Sequence, residues 1–117
     1  MADTRNHAED IAQRLMQQRA AFTAAGEVSV EERRARLQQV INLLVAYHEP
    51  LADAMGEDFG GRHPGYSIMN DILGTLGSLK HTRDHLEKWM QADKRPPFFP
   101  YDQLGAEAWV MYQPKGW

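Results

Sequence analysis

Apolar side chains recur every three or four positions along most of the chain, the spacing that lines one face of an α-helix. Ile11, Leu15 and Phe22, with Arg19 among them, set such a face from about His7 or Ala8 to about Ala25. Asn6 is the candidate cap, and Gly26 supplies the stop. Ser29-Val30-Glu31-Glu32 matches a capping box, with Glu32 three positions after the N-cap serine. The second helix continues through ERRARLQQVINLLVAYH, with Leu37, Val40, Ile41, Leu44 and Tyr47 as its buried stripe. Arg33, Arg34 and Arg36, beside Glu31 and Glu32, read as a solvated face.

Pro50 cannot sit in a helix interior without cost but fits a first turn. The stretch HEPLADAMGEDFGG therefore predicts a short third helix from about Glu49 to Asp58, with Leu51, Met55 and Phe59 on its apolar side and Gly60-Gly61 ending it. After an Arg62-His63-Pro64-Gly65 loop, a long fourth helix is expected from about Tyr66 to Ala92. Its stripe is Met69, Ile72, Leu73, Leu76, Leu79, Arg83, Leu86 and Met90. Gly74 and Gly77 interrupt it at about 1 kcal/mol each relative to alanine. They read as a notch for a close backbone, with a kink as the alternative.

The helical pattern then ends. Lys94-Arg95-Pro96-Pro97-Phe98-Phe99-Pro100 is stiffened by its prolines, and it predicts an extended crossing segment with two buried phenylalanines rather than a PxxP ligand. A strand follows from Glu107 to Gln113, then a Pro114-Lys115-Gly116 turn, so the best strand is expected to lack a partner within the chain. The fold expected is mainly α: about four helices, a proline-rich extended segment and one C-terminal strand. The layout is a helical region over 1–93, a crossing over 94–105 and an incomplete sheet unit over 106–117.

Composition changes this picture little. The 117 residues suit one domain, and the 43% apolar and 25% charged fractions are those of an ordinary globular protein. A net charge of -3 argues against a dedicated nucleic-acid or anionic-membrane binder. No stretch reaches the roughly 20 apolar residues of a membrane span, and no secretory signal is visible at MADTRNHAED. The expectation is a soluble cytoplasmic protein. The absence of cysteine rules out disulfides, thiolate metal sites and a cysteine nucleophile in this chain.

Candidate chemistry is sparse. His81 and His85, four apart on the fourth helix with Asp84 and Glu87 nearby, offer two ligands of the kind zinc takes. With no HExxH pattern, two polar histidines on a wet helix face are the expectation. Asp53, Glu57 and Asp58 read as surface charges, since an acid/base pair needs burial to separate its pKa values. Neither GxGxxG after a strand, GxxxxGK[ST] nor GxSxG occurs. No catalytic, cofactor-binding or metal-ligating residue is assigned.

The order of segments carries more. ERRARLQQVINLLVAYHEPLADAMGEDFGGR, then HTRDHLEKWM, then the proline-rich stretch and AWVMYQPKG, resembles the N-terminal region of aldehyde dehydrogenases. The likeness points to the shorter, class-3-like branch that includes coniferyl aldehyde dehydrogenases. Its marks here are the Asp58-Phe59-Gly60 turn, a long helix closing on Trp89 and Met90, and a "v-x-Y-x-P-x-G" strand, Val110 to Gly116. Gly65-Tyr66-Ser67 departs from the glutamate or threonine common in that family.

For a parent enzyme, the resemblance implies oxidation of an aldehyde to a carboxylic acid with NAD or NADP, through a downstream cysteine and glutamate. It also implies a dimer joined through the sheet to which the strand belongs. The chain then reads as the beginning of a longer enzyme. By itself it is expected to be a non-catalytic scaffold holding no cofactor, self-associating through Glu107 to Gln113. The rival reading is a free-standing helical interaction module with Trp109, Tyr112 and Trp117 as its partner surface.

Overall fold

In a computed structural model, which describes residues 4–115, the chain is mainly α. The first helix, α1 (Thr4–Ala25), begins earlier than the periodicity predicts. No breaker lies between Thr4 and His7, so Asn6 falls inside the helix rather than capping it. Gly26 ends it at φ +66°, a conformation open to glycine. Ile11 and Leu15 do not meet a core and are largely exposed. Val28 is buried at 4% exposure, where Phe22 and Ala25 of α1, Arg36 and Pro114 line one hollow.

The capping box forms its serine half. The Glu32 amide donates to Ser29 Oγ at 3.1 Å, with Ser29 extended, and α2 (Val30–Ala46) follows. Ile41 is its buried residue, flanked by half-buried Leu37 and Leu44; Val40 and Tyr47, expected in the stripe, are exposed. The third helix, α3 (His48–Asp58), carries Pro50 in its first turn. Its buried side is Ala52, Met55 and Gly56, whereas Leu51 and Phe59 face outward. Small residues let this helix approach its neighbours closely, which turns its inner face by about one position.

The end of α3 is a Schellman motif. Gly61 N–H donates to the Gly56 carbonyl at 2.7 Å and Gly60 N–H to the Glu57 carbonyl at 3.2 Å, with Gly60 at φ +70°. His63, read as loop, caps the next helix: its Nδ1 accepts from the Gly65 amide at 3.0 Å. The expected fourth helix is one helical run of three parts. These are α4 (Pro64–Ser67), a π-helical stretch (Ile68–Leu73) and α5 (Gly74–Trp89). The core is Ile41, Ala52, Ile72 and Leu76, with Leu44, Met55, Ile68 and Leu79 packed against it.

Nothing lies within 4 Å of where a Cβ would stand on Gly74 or Gly77, so neither is a packing notch in this chain. The π turn ends at Gly74, and the interruption of the helix lies there. Replacing either glycine by alanine is expected to raise stability by about 0.5–1 kcal/mol, read by urea denaturation, because the helix loses its most flexible residues and nothing is displaced. A loss of stability would show that a close neighbour exists.

Beyond α5 the expected crossing is shorter than 94–105. Asp93–Arg95 forms β1, which pairs antiparallel with β2 (Ala108–Val110), in the register Asp93↔Val110, Lys94↔Trp109 and Arg95↔Ala108. The final strand is thus not left without a partner. Charged residues hid β1 from a reading based on apolar alternation. Between the strands, Tyr101–Leu104 is a 3-10 turn. Phe98 and Phe99, expected to be buried, are 84% and 67% exposed.

The molecule is elongated, 68 × 34 × 22 Å, with a radius of gyration of 20.9 Å against about 13 Å for a compact chain of this length. Its accessible area of 9776 Å² exceeds by about 3,300 Å² the value that mass alone predicts for a globular monomer.

Candidate functional site

The sequence candidates do not converge. His81 and His85 stack with ring centroids 4.0 Å apart, and the His85 ring lies stacked 5.8 Å from Trp89. His85 Nδ1 is 2.8 Å from the His81 carbonyl oxygen. Asp84 accepts from Arg83 Nε at 2.8 Å, and Glu87 accepts from Arg34 at 3.2 Å. The two carboxylates are therefore engaged by arginines and not gathered with the imidazoles. Among the described residues no group of three metal-ligating side chains assembles. The Arg83 hydrogen bond holds the Asp84 carboxyl below the usual carboxylate range, and Asp84 in turn raises Arg83. Asp84 is exposed and Arg83 half-buried, so this is pairing at the helix surface rather than the tuning of an acid/base pair.

The arginines at the start of α2 divide. Arg36 pairs with Glu32 on an exposed face, as a solvated cluster would. Arg33 and Arg34 are half-buried against α5: Arg34 reaches Glu87, and Arg33 Nε is buried without a hydrogen-bond partner. Only the interhelical packing exposes this difference, because all three side chains look alike in sequence. Asp53, Glu57 and Asp58 are exposed on α3, with Asp53 and Glu57 beside a shallow hollow under Gly60 and Gly61.

Sequence reasoning missed Arg62. Its guanidinium pairs with Asp71 and lies over two rings, 5.1 Å from the Phe59 centroid and 4.6 Å from that of Tyr66. The signal available was an arginine just after a glycine pair, between two aromatics.

The β unit also presents apolar surface. Trp109, Val110, Met111 and Tyr112 are all exposed. β1 carries Asp93, Lys94 and Arg95 and runs into Pro96 and Pro97, which have no amide to offer a further strand. β2 has no such guard on its outer edge. Past Val110 its natural partners would be Ala92 and Gln91, which lie at the end of α5, so the ladder stops there. Trp117, the third aromatic of the rival partner surface, lies outside the described residues, as does Gly116 of the turn.

No helix among the described residues is long and apolar enough to cross a membrane. No family model and no solved structure matches the chain. Two curated relatives align along almost all of it. A Caulobacter vibrioides protein named "Probable coniferyl aldehyde dehydrogenase" is 41% identical over 103 residues, covering 87% of this chain and 21% of its own length. A Pseudomonas protein named "Coniferyl aldehyde dehydrogenase" is 37% identical over 109 residues, 93% of this chain and 22% of its own. The chain spans about a fifth of the length of the curated relatives it matches.

Proposed function

We propose that this chain, which matches the N-terminal part of an aldehyde dehydrogenase, is the helical scaffold region of a soluble cytoplasmic enzyme of that kind. The enzyme oxidises aldehydes of the coniferyl type to carboxylic acids with NAD or NADP. The observation that carries this reading is the alignment of nearly the whole chain with two coniferyl aldehyde dehydrogenases, in the region their first fifth supplies.

The chain's own residues take a supporting part. The α2–α3–α5 core gives a rigid base, and the exposed faces of α1 and of the β unit supply surface for further protein. The acid/base and nucleophilic groups of the oxidation lie on other sequence: this chain has no cysteine, and its carboxylates are wet or engaged by arginines. Alone, the chain is a non-catalytic scaffold that self-associates into a dimer, β2 pairing with β2 of a second copy.

Two measurements test this. Incubated with coniferyl aldehyde and either nicotinamide cofactor, the chain alone should give no reduced cofactor above the blank, and turnover would contradict the scaffold reading. Size-exclusion chromatography with light scattering should give a dimer whose population rises with concentration. A monomer at the highest concentration would remove the self-association.

A further inference from the structure

The helical run from Pro64 to Trp89 carries more apolar side chains than one face can bury. Read as continuous α-helix, Met69, Ile72, Leu73 and Leu76 form one stripe at spacings of three and four. In the structure the inner face is Ile68, Ile72 and Leu76, at spacings of four and four, while Met69 and Leu73 are 71% and 53% exposed. The cause is the π-helical stretch Ile68–Leu73, where each i→i+5 turn takes up about one residue more than an α turn. Everything before it is thereby rotated relative to α5. Ile72 and Leu76 keep their inward positions; the π turn brings Ile68 inward and carries Met69 outward.

Because π turns are rare and occur mostly as single-turn bulges, something outside the stretch must select this one. The structure points to Arg62. It pairs with Asp71 inside the stretch, and its guanidinium lies over the rings of Phe59 and Tyr66. Its position is fixed from behind, since the Gly61 amide is tied to the Gly56 carbonyl and the Arg62 carbonyl lies 2.9 Å from where a Gly56 Cβ would stand. Two buried polar atoms without hydrogen bonds, Arg62 Nε and Ser67 Oγ, sit beside this clamp and work against it. The arrangement is therefore held by the pair and the rings, not by complete polar satisfaction.

We infer that Ile68–Leu73 is a two-register element: Arg62, through Asp71, holds it in the π register, and loss of that pair returns it to α, turning Met69 back toward the core. Arg62 is a positioning residue in this device. Anything that draws Arg62 from Asp71, such as a competing carboxylate, would reorganise the outer face of the run from the α3–α4 loop.

Peroxide oxidation of methionine, followed residue by residue by mass spectrometry, reads the register directly, because sulfoxide formation follows exposure. Met16, 71% exposed on α1, is an internal standard with the same exposure as Met69. In the unmodified chain Met69 and Met16 should oxidise at similar rates. In Asp71→Ala, Met69 should slow several-fold relative to Met16 while the helical circular dichroism persists; an unchanged ratio in the folded variant overturns the inference. Deleting Asn70 is the second arm. It removes the extra residue and sets Ile68, Ile72 and Leu76 three and four apart, on one face of a continuous α-helix, so the melting temperature should match or exceed that of the parent. A lower one, or an unfolded deletion variant, overturns the inference whatever Asp71→Ala does.

Discussion

Ile41→Ala is expected to lower stability by about 2–5 kcal/mol, the range for emptying a buried aliphatic site. That is of the same order as the whole stability of a small domain. Among the described residues four make up the central core, Ile41, Ala52, Ile72 and Leu76, with one partly buried layer of Leu44, Met55, Ile68 and Leu79 against it, so little can move in to fill the space. Most of the chain's other large apolar groups, from Ile11 on α1 to Tyr112 after β2, are exposed and give no reserve. Urea unfolding followed by far-ultraviolet circular dichroism would measure the effect. A loss below about 1 kcal/mol would mean that Ile41 is not part of a packed core.

Gly56→Ala is the second large effect, and its sign opposes that at Gly74 and Gly77. In an exposed helix interior the exchange gains up to about 1 kcal/mol. At Gly56 the new methyl would stand 2.9 Å from the Arg62 carbonyl oxygen, a backbone atom that cannot swing aside. The same residue's carbonyl accepts from Gly61 at 2.7 Å, so a shift of the loop also loosens the end of α3. Overpacking of this kind costs about 1–3 kcal/mol. The expected result is a net loss in Gly56→Ala beside a gain in Gly74→Ala, measured in the same denaturant series. Equal signs at the two positions would contradict the described packing.

Signals confined to a few neighbouring residues were legible in the sequence. Ser29 as N-cap, Pro50 in a first turn, Gly26 and the Gly60-Gly61 pair mark boundaries through local chemistry, and the structure uses each as expected, although the Glu32 carboxylate turns to Arg36 instead of closing the capping box. Which face of a helix is buried was less legible, because that depends on what comes to meet it. Ala52 and Gly56 outrank Leu51 and Phe59 since small side chains allow closer approach. The α-spaced stripe containing Met69 and Leu73 yields to a π register that a single arginine nine residues from its partner helps to select.

Long-range pairing was hidden for a related reason. Asp93–Arg95 has no apolar alternation, and its strand character comes from β2 alone. The exposed Phe98 and Phe99 show the converse limit: burial was inferred from their type, and the described residues leave them 84% and 67% exposed. The surroundings of Arg62 and of the half-buried Arg33 depend on residues distant in sequence, so neither was legible before the helices were packed together.

A chimera tests the central claim most directly. In the Caulobacter relative, the first fifth of the protein would be exchanged for this chain, which aligns with it at 41% identity over 103 residues. If these helices and the β unit serve as the proposed scaffold, the chimera should be soluble and should match the unmodified relative when both are assayed with coniferyl aldehyde and each nicotinamide cofactor. A chimera that aggregates, or that is soluble and inactive beside an active relative, would contradict the account.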